Sequence, residues 1–172
     1  RYSIQANFRA DAFDSSKLPA SNRWGYFPSV SAGWTISNES FMKDNVDKSI
    51  LSFLKLRGSW GRNGNVNILS GYPYTATIGL NGQRYQYNPS TGNGDLTYGS
   101  GPTDMPNPDL KWETSEQTNI GFDARLFGSR LGVNFDYYIK DTKDWLVTAP
   151  ILATAGAGAP FINGGSVKNT GV

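Results

Sequence analysis

Strict two-residue alternation, repeated in segments of about ten residues, constrains this chain more than any other feature. Tyr2, Ile4, Ala6 and Phe8 are apolar, and Ser3, Gln5 and Asn7 between them are polar. Val30, Ala32, Trp34 and Ile36 alternate with Ser31, Gly33 and Thr35. Leu54, Leu56 and Trp60 alternate with Lys55, Arg57 and Ser59. Ile120, Phe122, Ala124 and Leu126 alternate with Asn119, Gly121, Asp123 and Arg125. Leu131, Val133, Phe135, Tyr137 and Ile139 repeat the pattern. Successive side chains on a strand point to opposite faces, so each segment has one apolar and one polar wall. A tilted strand needs about ten residues to cross a bilayer, whereas soluble strands average about five or six. The pattern predicts an all-β fold whose antiparallel strands form part of a transmembrane β-barrel wall.

Composition removes other classes. The 172 residues suffice for one domain, and 16 basic against 14 acidic residues leave a net charge of +2. That balance, without basic clusters, gives no footprint for nucleic acid. Hydrophobic residues are 38% of the chain, and no run approaches the roughly 18 of a transmembrane helix. Barrel strands hide their apolarity by alternation, so this does not argue against a membrane. The chain has no Cys and no His, which excludes disulfides, thiolate chemistry and imidazole catalysis within these residues.

Strands are expected at about 1–10, 27–37, 52–61, 117–126 and 131–141, with a partial one from Ser166. The longest connection, 62–116, is rich in Gly and Tyr and has room for short strands at Tyr72–Ile78 and Gln83–Tyr87. Asp44 is expected to cap a helical turn in the 38–49 connection. The tight Phe127–Arg130 turn marks the periplasmic side, because such barrels keep short turns there and long loops outside. The connections 11–26, 62–116 and 142–165 then fall outside. Trp60, Trp112 and Trp145 are expected near the outer rim and Trp34 near the inner one, as two aromatic girdles. No secretory signal is visible at Arg1, and both ends read as cut from something longer.

Several strings resemble the C-terminal barrel region of SusC/RagA-type TonB-dependent outer-membrane transporters of Bacteroidetes. They are Arg23-Trp24-Gly25-Tyr26-Phe27-Pro28-Ser29-Val30-Ser31-Ala32-Gly33-Trp34, Glu39-Ser40-Phe41-Met42-Lys43 and Leu54-Lys55-Leu56-Arg57-Gly58-Ser59-Trp60-Gly61. Further along come Asn107-Pro108-Asp109-Leu110-Lys111-Trp112-Glu113, Gln117-Thr118-Asn119-Ile120-Gly121 and Asp136-Tyr137-Tyr138-Ile139-Lys140. Asp11-Ala12-Phe13-Asp14 departs from the family, which often has more Gly and Arg there. The resemblance implies an importer of glycan or peptide with a 22-stranded barrel, an N-terminal plug and a TonB box. It implies energy from TonB–ExbB–ExbD and a SusD-like surface lipoprotein as lid. These residues would be a segment of the barrel wall in the lipid bilayer, without plug or TonB box.

No residue pattern demands catalysis, a cofactor or a metal. Asp109 and Glu113 could form a glycosidase pair, but a loop-to-strand transition anchored by Trp112 accounts for the same string. Tyr72, Tyr74, Tyr85, Tyr87 and Tyr98 could stack on substrate, pack the loop on itself or meet the lipoprotein. Arg9, Lys55, Arg57, Asp123, Arg125 and Asp136 belong to the polar strand face, where a structural network is favoured over substrate guidance. Asp141-Thr142-Lys143-Asp144 offers oxygens for Ca²⁺ but reads as a solvated loop. Gly92-Asn93-Gly94 and Gly164-Gly165 lack the Lys-Ser/Thr of a phosphate loop and read as turns. The substrate-binding residues are left unassigned. The alternative fold is a soluble β-sandwich that binds carbohydrate, and a third class is a secreted glycosidase fragment.

Overall fold

A computed structural model describes residues 1–14, 16–67, 69–86 and 96–172, with side chains described outside 81–98. Along the chain come β1 (Tyr2–Ala12), β2 (Trp24–Thr35), α1 (Ser40–Asn45), β3 (Leu51–Asn65), β4 (Ile78–Gln86) and β5 (Leu96–Pro102). There follow β6 (Glu113–Leu126), β7 (Leu131–Lys143), β8 (Leu146–Thr148), β9 (Phe161–Asn163) and β10 (Ser166–Gly171). Six of the strands form one antiparallel sheet in the order β1-β2-β3-β6-β7-β10. Strands β4 and β5 pair with each other, as do β8 and β9.

The register converts sequence alternation into two continuous walls. Tyr2, Trp34, Leu56, Phe122 and Phe135 lie opposite one another across five strands. The next row is Ser3, Gly33, Arg57, Gly121 and Asp136. Alternate rows point to opposite faces, so apolar rows share one face and polar rows the other. A one-residue slip of any strand would mix the two walls, which is why the pattern fixes the register.

The apolar wall is left uncovered: Ile4 is 80% exposed, Phe8 70% and Ile120 62%. A β-sandwich would bury this face against a second sheet about 10 Å away. The buried core lies elsewhere. Leu18, Val66, Leu69, Leu110 and Leu146 pack together, flanked by Phe13, Tyr74, Trp112 and Phe161. They come from the connections at the end of the sheet away from the Phe127–Arg130 turn. The sheet itself therefore needs an apolar environment that the described residues do not supply.

Strand ends differ from the alternation reading. Strand β2 begins at Trp24, and β3 pairs with β6 as far as Asn65↔Glu113. The added pairs, such as Asn63↔Ser115, are polar. Backbone groups gain from continuing the ladder even where side chains have no apolar wall to join. No strand forms at Tyr72–Thr77. Pro73 lacks an N–H, and Thr75 donates its N–H back to the Tyr72 carbonyl in a turn. The ladder starts instead at Ile78 and runs through Gln86, while Tyr87 and Gly92-Asn93-Gly94 lie outside the described residues.

Asp44 does not cap the helix. It sits in the last turn of α1, and the N-cap is Glu39, with no side-chain cap bond. The Glu39 carboxylate is engaged elsewhere, accepting from Trp34 Nε1 at 3.2 Å and Arg1 Nη1 at 3.4 Å. The tight turn uses three successive positive φ angles, at Phe127 (54°), Gly128 (62°) and Ser129 (69°). Such turns match the right-handed twist of the strands they join.

Candidate functional site

Two surfaces can meet a solute. The first is the polar wall. Arg57 and Asp136 belong to the same row, two strands apart, with Gly121 between them. The absence of a side chain at Gly121 lets Arg57 reach across, and its Nη2 donates to Asp136 Oδ2 at 2.6 Å. Arg57 Nε also lies 3.3 Å from Asp123. Nearer the core end, Arg9 pairs with Asp11 at 2.5 Å, and its guanidinium lies 5.8 Å from the Phe27 ring centre. Arg9, Arg57, Asp123 and Asp136 of this wall thus pair with charged neighbours, as a structural network would have them. A Cβ on Gly121 would stand 2.5 Å from both Asp136 Oδ1 and the Phe135 carbonyl. Gly121→Val is therefore expected to cost about 1–3 kcal/mol by overpacking. Gly132→Val, where nothing lies within 4 Å, is expected to stay within about 0.5 kcal/mol. Urea unfolding of the two variants checks the contrast.

The second surface is the platform of connections at the core end. The string Asn107–Glu113 is its hub. Asn107 Nδ2 donates to the Phe161 carbonyl at 2.8 Å, and Asn22 Nδ2 donates to the Leu110 carbonyl at 3.0 Å. Asn163 Oδ1 accepts from the Lys111 N–H, while its Nδ2 donates to the Lys111 and Asp144 carbonyls, each bond at 2.9 Å. Trp112 Nε1 donates to the Arg23 carbonyl at 3.2 Å. The Trp112 ring meets Phe13 and Phe27 edge-on, at 6.0 and 5.4 Å. Gly25 and Gly64 leave the space into which the Phe27 ring fits. Three connections distant in sequence are thereby locked into one body.

The residues considered for sharper chemistry also have structural contacts of their own. Glu113 Oε2 accepts the Leu146 N–H at 3.3 Å, and Asp109 sits in a turn with its N–H on Asn107 Oδ1. Asp144 pairs with Lys111 at 2.9 Å, and Asp141 lies 3.9 Å from Lys143. Among the described residues no group of three or more His, Cys, Asp or Glu could hold a metal ion. Of the tyrosines, Tyr74 packs against the buried cluster, whereas Tyr72 is 56% exposed. Tyr85 and Tyr98 fall on the β4–β5 ladder. Beside Tyr72 opens a cavity of about 460 Å³ between the long connection and the one that follows β7. Sequence reasoning missed it because its walls come from segments about 80 residues apart.

The family model for the TonB-dependent receptor-like β-barrel matches residues 1–172. This chain belongs to that family. It is 36% identical over 99% of its length to TonB-dependent receptor P39 of Formosa agariphila, covering 15% of that protein. It is 35% identical over its whole length to TonB-dependent receptor SusC of Bacteroides thetaiotaomicron, covering 16% of it. Among solved structures, the RagAB peptide transporter superposes with a TM-score of 0.76 at 31% identity, over 98% of this chain and 17% of that one. The chain thus spans about a sixth of the length of these relatives.

Membership explains the bare apolar wall. It is the outer surface of a receptor barrel, and the polar wall faces the interior. One aromatic assignment from sequence needs correction. Trp112 is no girdle residue, because its ring is held between Phe13 and Phe27. Trp24, 57% exposed and opposite Ala12, takes the outward position at that end instead. Trp34 at the other end stacks on Tyr2 with ring centres 6.0 Å apart. Strand alternation could not place Trp112, which precedes the first residue of β6.

Proposed function

We propose that this chain is a wall segment of an outer-membrane TonB-dependent importer of nutrients, glycan or peptide, working with a SusD-like surface lipoprotein. The observation that carries the reading is the uncovered apolar face, in register across the sheet, backed by a polar face. Lipid suits the first face and a solvated import path the second. The connections 11–26, 62–116 and 142–165 then lie on the extracellular side, and the Phe127–Arg130 turn is periplasmic. The segment performs no catalysis. It closes the backbone hydrogen bonding of the wall and presents a rigid platform to substrate and lid. The remaining strands of a 22-stranded barrel, a plug and coupling to TonB–ExbB–ExbD are the further parts this reading implies.

The test is mass spectrometry of the full-length protein extracted in detergent from outer membranes, paired with nutrient uptake by a deletion strain. The expected result is a polypeptide several times longer than 172 residues, co-purifying with a surface lipoprotein, whose loss abolishes uptake of a glycan or peptide. A water-soluble protein without a lipoprotein partner, and unimpaired uptake, would sink the proposal.

A further inference from the structure

The cavity beside Tyr72 has a chemistry more specific than that of a generic substrate cleft. At about 460 Å³ it falls within the range of small-ligand pockets, roughly 300–1,000 Å³. Its lining includes Tyr72, Phe161, Pro73, Pro160, Thr75 and Thr77. Among the described residues of the lining, Asp104 is the single carboxylate and no Lys or Arg is present. The Asp104 carboxylate has no hydrogen-bond or ion-pair partner among the described residues.

The position of Asp104 is built by the backbone. Its two neighbours in sequence bracket Gly158: the Gly158 N–H donates to the Thr103 carbonyl at 2.7 Å, and the Met105 N–H donates to the Gly158 carbonyl at 3.0 Å. Asp104 and Gly158 pair as a parallel bridge, and a Cβ at Gly158 would collide with Asp104 Oδ1. The Asp104 backbone is therefore held in place at a cavity that Tyr72 and Phe161 also line.

An unpaired carboxylate in a cavity that aromatic residues also line favours a cation by charge-assisted hydrogen bonding. It disfavours sulfated, phosphorylated or uronate ligands, which would find no positive partner among the described residues of the lining. We infer that this cavity binds the ammonium group of a peptide, and so marks the transported nutrient as peptide rather than glycan. The inference rests on the import reading above and narrows it.

The test uses the full-length receptor in detergent and calorimetric titration with four probes. These are tetra-alanine with a free amino terminus, its N-acetylated form, an N-acetylated tetrapeptide carrying one lysine, and a neutral glucose oligosaccharide. The wild type is expected to bind at least one amine-bearing peptide roughly ten-fold more tightly than the acetylated and sugar probes. Which amine peptide binds tells a terminal ammonium from a side-chain one. Asp104→Asn, which keeps the side-chain shape, is expected to remove that preference and leave the weak binding of the acetylated peptide unchanged. Tyr72→Ala is expected to weaken amine binding several-fold. Equal affinity for the acetylated peptide or the sugar, an unaltered preference in Asp104→Asn, or no binding of either amine peptide at millimolar concentration would overturn the inference. In those cases continued uptake of a neutral nutrient would leave the import reading standing. Loss of outer-membrane location and of all uptake phenotype would overturn the import reading itself.

Discussion

Phe135→Arg is expected to destabilise the full-length receptor in lipid vesicles by about 2–4 kcal/mol, whereas Asn134→Arg changes stability by about 0.5 kcal/mol or less. The two residues are neighbours on β7 and face opposite walls. Phe135 lies in the apolar row with Tyr2, Trp34, Leu56 and Phe122, and stacks on Phe122 with ring centres 5.6 Å apart. A guanidinium there would be carried into hydrocarbon. Asn134 lies opposite Asp123, so an added cation on the polar wall meets a carboxylate. Unfolding in urea from phospholipid vesicles reads both variants. The sign carries the argument. In a water-soluble module, a side chain already 44% exposed would accept Arg at little cost and the protein would gain solubility. A neutral Phe135→Arg variant would therefore remove the barrel assignment of this face.

Trp112→Ala is expected to cost about 3 kcal/mol and to loosen the platform without opening the barrel. The ring touches Phe13 and Phe27, and its indole N–H satisfies the Arg23 carbonyl. Truncation removes both, leaving a cavity and an orphaned acceptor. The buried cluster of Leu18, Val66, Leu69, Leu110 and Leu146 loses a wall at the same time. Limited proteolysis of the receptor in detergent should then cut within 13–23 and 66–112, while the heat-sensitive gel mobility of a folded barrel persists. If Trp112 instead anchored the wall to the bilayer surface, the connections would stay protected and the barrel would weaken. Trp24→Ala gives that comparison, since its exposed ring has no such partners.

The platform was only partly legible in the sequence. The Asn107–Glu113 string stood out, and its loop-to-strand role was read correctly. Its partners Phe13, Arg23, Phe161 and Asn163 could not be, because they lie at separations of 50 residues or more that no periodicity spans. The cavity behind Asp104 was hidden for the same reason. The end of β2 was missed because Trp24-Gly25-Tyr26 looks like loop composition, although the β1 partners Ala12, Asp11 and Ala10 extend the ladder to it. The helix cap was misplaced because Asp is a good capping residue in general, while here the chain turns at Glu39, whose carboxylate holds Trp34 and Arg1.

The two walls follow from local alternation alone. A period of two in side-chain direction is a local property of extended backbone, so Tyr2 to Phe8 or Leu131 to Ile139 declare their faces without any knowledge of their neighbours. What those faces meet, and where the chain keeps its own core, depends on contacts between distant segments. That core forms from four leucines and Val66 scattered over three connections, none of which carries a pattern of its own. Their burial is a property of distant contacts, which exist only once the strands have brought the connections to one end of the sheet.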